Sequence, residues 1–354
     1  MALKSPVFHV HRSTALSRAA LPAAAALVVV GASLPFWAGS DWLVTLVELM
    51  YFLALAQMWN LLAGYGGLVS IGQQAYVGLG AYVMVALTVF AGLNPFLAVP
   101  LAGVVAGLAS WPAAQLLFRL QGPYFAVGSW VFAEILRLLI SNSTSLGGGS
   151  GTSITAAVSE MDSWWREALS YWMALAIGVG SVASVYALLR SRHGLALTAV
   201  RDSETASESV GVPVRAIKRW VYVAAAAGTG VIGALIFVTK LRVSPDAAFS
   251  TEWSALVIFM VVIGGVGSIE GPILGVLLYF TLRHFLADYG SGYLIALGAL
   301  AVLTMLYLRS GLWGALLQRF EWRLFPVQRC LVRGAGEPIG HGPATAMPTP
   351  RPTP

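Results

Sequence analysis

Charge is what this sequence has least of. Only 10% of its 354 residues are Asp, Glu, Lys or Arg, against a share of about 25% in ordinary soluble domains. Cysteine is almost missing, and the single Cys330 excludes an intramolecular disulfide and a multi-cysteine metal site. Its place in a polar C-terminal stretch marks an incidental thiol. Histidine is scattered: His193 and His284 stand alone, and His9, His11 and His341 lie near the ends. The chain has no HExxH, GxSxG, phosphate-binding loop or paired-carboxylate arrangement. Together these absences exclude a disordered chain, a nucleic-acid reader and a water-soluble enzyme. What is abundant is apolar: 58% of residues are hydrophobic and the mean hydropathy is +0.77. The fold class that follows is all-α, a polytopic bundle of transmembrane helices.

A helix needs about 20 apolar residues to cross about 30 Å of hydrocarbon. Runs of that kind fall near 19–38, 42–63, 68–92, 96–118, 124–140, 168–189, 220–239, 251–266, 270–287 and 291–308, so about ten spans are expected. The run at 251–266 is short enough to be a half-helix or re-entrant piece. The run at 19–38 follows Lys4, Arg12 and Arg18 but is a full span long, which favours a retained first span over a cleaved signal.

The basic residues orient these spans. With the amino terminus inside, the cytoplasmic pieces are 1–18, the turn at Arg119, the loop 190–219 and the tail 309–354. They hold 16 of the 21 Lys and Arg residues, and the opposite orientation would invert that bias. The expected organisation is a cytoplasmic N-terminal tail (1–18), a transmembrane domain (19–308) interrupted by the cytoplasmic loop 190–219, and a largely disordered cytoplasmic tail (309–354). That tail ends in MPTPRPTP, a composition that buries too little apolar surface to fold.

Three stretches exceed what a generic bundle requires. The first is WNLLAGYGGLVSIGQQAYVGLGAY, from Trp59 to Tyr82. Its glycines, Gly64, Gly67, Gly72 and Gly78 among them, suit either close helix packing or a helix that breaks and re-forms. Non-helical backbone at membrane depth survives only inside protein or along a watery cavity. Asn60, Ser70, Gln73 and Gln74 supply polar groups there, so a broken element lining a transport path is one reading and tight packing the other. The second stretch, IGGVGSIEGPILG from Ile263 to Gly275, places Gly264, Gly265, Gly267 and Glu270 between two apolar runs. Its GGVGSI at 264–269 echoes GGLVSI at 66–71, and paired glycine-broken segments point to half-helices around a path. The third is SRHGLALTAVRDSETASESVGV, from Ser191 to Val212. It is too polar to span and too ordered for low complexity. Ala196, Ala199 and Val200 share a helical face, and Ala206 and Val210 recur four apart, which suggests two short surface helices that dock a cytoplasmic partner. Inside the spans, Glu134 and Arg137 are placed to pair along one helix, and Glu48 faces another helix or a cationic group.

These motifs, with LQGPYFAVGSWVFAEILRLL at 120–139 and GGGSG at 147–151, occur in the order found in one family. Over residues 45–315 the chain resembles the permease subunits of ATP-driven importers for branched-chain amino acids, and specifically the larger member of the permease pair. Gln73-Gln74, Ser129 and the Thr after GGGSG depart from the common pattern. The resemblance implies a non-catalytic subunit of the bacterial inner membrane, both termini cytoplasmic, that binds no cofactor itself. ATP and Mg would be bound by two partner ATPases. The other implied partners are a second, related permease and an extracytoplasmic substrate-binding protein. The glycine stretches would surround the translocation path, and Arg192, Gly194, Arg201, Glu204, Ala206 and Gly211 match the positions that contact an ATPase. A secondary transporter, or a passive channel for a small polar solute such as urea or a short amide, stays open as the alternative. An ion-driven carrier would need a coupling site built on carboxylates, for which Glu48 and Glu134 are the candidates.

Overall fold

The computed structural model describes residues 8–11, 15–159, 161–286, 292–308, 310–320, 325 and 330–333. After strand β1 (Phe8–His11), helix α1 (Ala15–Ser33) ends in a 3-10 turn at Leu34–Phe36. Helix α2 (Ser40–Asn60) continues through a π-helical turn, Leu61–Tyr65, and residues 66–73 leave the helix altogether. Then come α3 (Gln74–Ala91), α4 (Pro95–Leu117), α5 (Pro123–Ser141), strand β2 (Thr152–Ser153), a single turn α6 (Thr155–Val158) and the long α7 (Ser163–Arg190). Two short helices, α8 (Arg192–Asp202) and α9 (Glu204–Ser209), precede α10 (Val214–Lys240), strand β3 (Arg242–Val243), the turn α11 (Pro245–Ala248) and α12 (Thr251–Gly264). The described chain closes with α13 (Glu270–Leu286), α14 (Gly292–Tyr307), α15 (Gly311–Phe320) and β4 (Cys330–Arg333).

Local sequence sets many of the boundaries. Asn94 caps α4 by accepting a hydrogen bond from Phe96 N at 2.9 Å, and Pro95 fills the first helical position, where its missing N–H costs nothing. Asp162 caps α7 through Trp164 N, and Ser250 caps α12 through Glu252 N. β1 pairs antiparallel with β4, Phe8 opposite Arg333, and β2 pairs antiparallel with β3, Thr152 opposite Val243.

Helix α10 is the most buried of the long helices and α5 the least. In lipid no hydrophobic force draws helices together, so close association relies on small residues that let backbones meet. Gly103 and Gly107 of α4 lie against Ala227 and Val231 of α10, while Gly80 and Val77 of α3 meet the backbone of Gly230 and Gly233. An added Cβ on Gly80 would fall onto the Gly230 carbonyl.

The structure describes fewer long spans than the apolar runs suggest. Among the described residues, seven helices are long and apolar enough to span, and up to eight if α14 and α15 form one span bent by 41°. That is fewer than the ten apolar runs. The apolar part of α1 stops at a 3-10 turn, and α13 and α14 have only 17 and 16 residues, about 25 Å at 1.5 Å per residue. The run at 68–92 is helical only from Gln74, because the backbone turns through Gly67 at φ +68 first. Within the stretch 309–354, residues Gly311–Phe320 form α15, whose Trp313 is buried. Residues 334–354 and most of 1–18 lie outside the described residues.

Candidate functional site

The two glycine-broken segments meet at the end of the bundle where α8 and α9 lie. Asn60, in the last turn of α2 and fully buried, bridges them. Its Oδ1 accepts from Gly267 N and its Nδ2 donates to Ser268 O, both at 2.8 Å. One turn earlier Gln57 Nε2 donates to Ile269 O at 2.8 Å. The chain reverses here through Gly267 at φ +78, a conformation that side chains resist. Gly64 packs so closely that an added Cβ would sit 2.6 Å from Gly267 N. Arg201 of α8 completes the knot by donating from Nη1 to Gly64 O at 3.1 Å, while its Nη2 holds Asp202 at 3.0 Å. Gly264 and Gly265 pack against the backbone of Gly271 and Ser310. Glu270 is 8% exposed and accepts from Phe325 N at 2.9 Å.

The remaining expected path residues belong to a second cluster along α3. Trp59 Nε1 donates to Ser70 O, and Ser129 of α5 accepts from Ile71 N at 3.1 Å. Gly72 touches the Ser129 carbonyl and Gly78 the ring of Phe249. Gln73 Nε2 donates to Thr229 Oγ1 at 2.8 Å, and Gln74 pairs with the Ser254 hydroxyl. Tyr76 and Tyr222 join hydroxyls at 2.8 Å. Between them lies a small cavity of about 10 Å³, lined by Ser70, Gln73, Tyr76, Tyr222 and Thr229, room for about one water. These polar residues are thus hydrogen-bonded to one another across the seam between α3, α10 and α12. On the other side, Val69 and Ile71 of the non-helical segment are exposed.

The two helices expected between 191 and 212 are α8 and α9. Gly194, Leu197, Val200 and Ser207 are buried, whereas Leu195, Ala199, Ala206 and Val210 are exposed. Gly194 allows the tight turn from α7, since an added Cβ would strike the backbone of Leu188 and Leu189. Ser203 caps α9 through Ala206 N. Glu204 pairs with Lys218, and Arg192 and Gly211 are exposed.

The two carboxylates singled out inside the spans, Glu134 and Glu48, are paired. Glu134 meets Arg137 at 2.5 Å, and Arg137 also reaches Asp246 at 2.6 Å. Glu48 of α2 binds Arg283 of α13 at 2.6 Å. Sequence reasoning missed Gln57, Tyr76, Tyr222, Thr229 and Ser254. Gln57 carried a signal, a polar side chain one turn before Asn60 in an apolar helix. The others are visible only once α3, α10 and α12 are side by side.

Comparison with known proteins agrees with this architecture. The family described as "Branched-chain amino acid transport system / permease component" matches residues 42–307. The chain is 30% identical over 312 residues to the high-affinity branched-chain amino acid transport system permease protein LivM of Escherichia coli (strain K12), covering 81% of this chain and 73% of that protein. The LivM of Salmonella typhimurium gives the same values. A probable LivM of Methanocaldococcus jannaschii is 23% identical over 229 residues, 64% of this chain and 63% of that one. No solved structure matches. With the family match running from the start of α2 to the end of α14, and both glycine breaks inside it, the chain belongs to the branched-chain amino acid transport permease family, as a non-catalytic, multi-pass inner-membrane permease subunit of the LivM type.

Proposed function

We propose that this chain is the permease of an ATP-driven importer for branched-chain or related small amino acids, paired with a second permease, powered by two cytoplasmic ATPases and supplied by an extracytoplasmic binding protein. The observation that carries this reading is the Arg201 tether. A side chain from the α8–α9 pair holds the backbone of one glycine break at Gly64 O, and Asn60 joins that break to the other. A push on α8 is therefore transmitted to both breaks at once, the kind of two-state element through which distant sites couple. The exposed face of Arg192, Leu195, Ala199, Ala206 and Val210 is where the ATPase docks. Arg201, itself exposed, reaches Gly64 O and acts as the transmitter. Val69 and Ile71, exposed on non-helical backbone that cannot face lipid, line the path with the second permease.

The pairing of Glu48 with Arg283 and of Glu134 with Arg137 leaves both carboxylates engaged, which argues against an ion-coupled carrier. The β1–β4 pairing favours both termini on one side and hence an even number of crossings. Ten result if α1, α13 and α14 join the seven long helices.

The test is purification through this chain from cells co-expressing its neighbouring genes, followed by ATP-dependent uptake in proteoliposomes. Two ATPases and a second permease should co-purify. Val210→Asp should weaken ATPase recovery, whereas Arg201→Gln should keep the ATPases but lower uptake at least tenfold. Uptake that persists without the ATPases, or full activity in Arg201→Gln, would refute the reading.

A further inference from the structure

A cationic and aromatic shelf lies where the C-terminal part of α4 runs antiparallel to the start of α10. Arg215, Lys218 and Arg219 occupy the first two turns of α10. Cations there face the positive end of the helix dipole, which favours an anion instead. Lys218 has its carboxylate in Glu204. Arg215 and Arg219 have no carboxylate partner among the described residues. The Arg219 guanidinium lies over the Trp111 ring at 5.1 Å, with its Nε shielded from solvent and lacking any acceptor. Trp111 in turn meets Trp220 edge to face at 5.7 Å. Both indoles are open to the surroundings, Trp220 at 62% and Trp111 at 38%.

The surface leading to this shelf is apolar. Leu97, Leu101, Val104 and Leu108 are exposed on α4 at intervals of four, three and four residues, and Trp111 follows three later. That is one continuous helical stripe, the face a spanning helix turns to lipid. Tryptophan belongs at the membrane interface, and an arginine stacked on it holds its planar donors in place for a phosphate. Acyl chains laid along the α4 stripe would bring a headgroup to the shelf.

We infer that Arg219, with Arg215 and the Trp111–Trp220 pair, binds the phosphodiester of an anionic phospholipid. The site goes beyond the transport reading and rests on it only for the placement of α8 and α9 in the cytosol, which puts the shelf at the inner leaflet. Anionic headgroups there attract basic residues near the surface with about 1 kcal/mol each. Lipid bound to α10 would brace the helix that Lys218 ties to α9.

The experiment measures phospholipid retained by the detergent-purified protein, by native mass spectrometry, and thermal unfolding in nanodiscs of phosphatidylcholine with and without phosphatidylglycerol. Wild type should retain phosphatidylglycerol and melt higher in its presence. Arg219→Gln should lower that retention about fivefold and abolish the difference in melting, whereas Lys218→Gln, whose wild-type cation already has a carboxylate, should keep both. Inorganic phosphate at millimolar concentration should produce no shift. Should Arg219→Gln fail to fold, Trp111→Ala and the wild-type comparison still decide: equal melting in the two lipids overturns the site. Equal retention by Arg219→Gln, or a shift with free phosphate as large as with lipid, also overturns it. Loss of ATPase co-purification in Arg219→Gln with lipid retention intact would assign the shelf to an acidic protein surface instead. Because no readout of the lipid arms requires transport, failure of the importer reading is seen separately.

Discussion

Replacing Asn60 with alanine removes the bridge between the two glycine breaks. The substitution takes away one acceptor and one donor, so Gly267 N–H and Ser268 C=O both lose their partner at 2.8 Å. Leaving a buried backbone group unsatisfied costs about 1–3 kcal/mol, so Asn60→Ala should destabilise the fold by about 2–6 kcal/mol. Gln57→Ala is the matched comparison. It lies on the same helix, is equally buried, and makes a single bond to Ile269 O, its Oε1 having no partner. Its cost should be about half as large, about 1–3 kcal/mol. The assay is fluorescence-detected thermal unfolding of the detergent-solubilised chain, with the exposed Gln121→Ala as the neutral reference. The expected order of lost melting temperature is Asn60→Ala, then Gln57→Ala, then Gln121→Ala with almost none. An Asn60→Ala shift no larger than that of Gln57→Ala would show that the breaks are held by packing alone.

Gly80→Ala places a methyl on the Gly230 carbonyl and so forces α3 from α10. It should cost about 1–3 kcal/mol or more in the same assay, while Gly39→Ala, with open space around it, should be near neutral. Tyr76→Phe leaves the buried Tyr222 hydroxyl without the partner it has at 2.8 Å. It should lower stability by about 1 kcal/mol and leave the helix content seen by circular dichroism unchanged.

Much of the bundle was legible because its signals are local. The pairing of Glu134 with Arg137 follows from their spacing on one helix, and α8 and α9 follow from small apolar residues among charged ones. The stretch just before GGLVSI meets GGVGSI, with Gly64 beside Gly267. The buried faces of α8 and α9 were not legible, since which side of a short, weakly amphipathic helix is covered depends on what lies above it. The partners of glutamines 73 and 74, Thr229 and Ser254, lie 156 and 180 positions away and could not be read from the sequence.

Composition alone pointed this chain to a bilayer, because hydropathy and scarcity of charge are sums that do not depend on how residues meet. Its orientation pattern and the position of its polar helical pair are of the same kind. Only the tertiary structure decided which polar groups face one another. Asn60 became a clamp, Arg201 a tether to Gly64 O and Glu270 a buried acceptor for Phe325 N. A buried hydrogen bond requires two groups within about 3 Å. That distance is set by close approach of helices through Gly64, Gly80 and Gly230, a property of pairs of backbones that no single stretch of sequence contains.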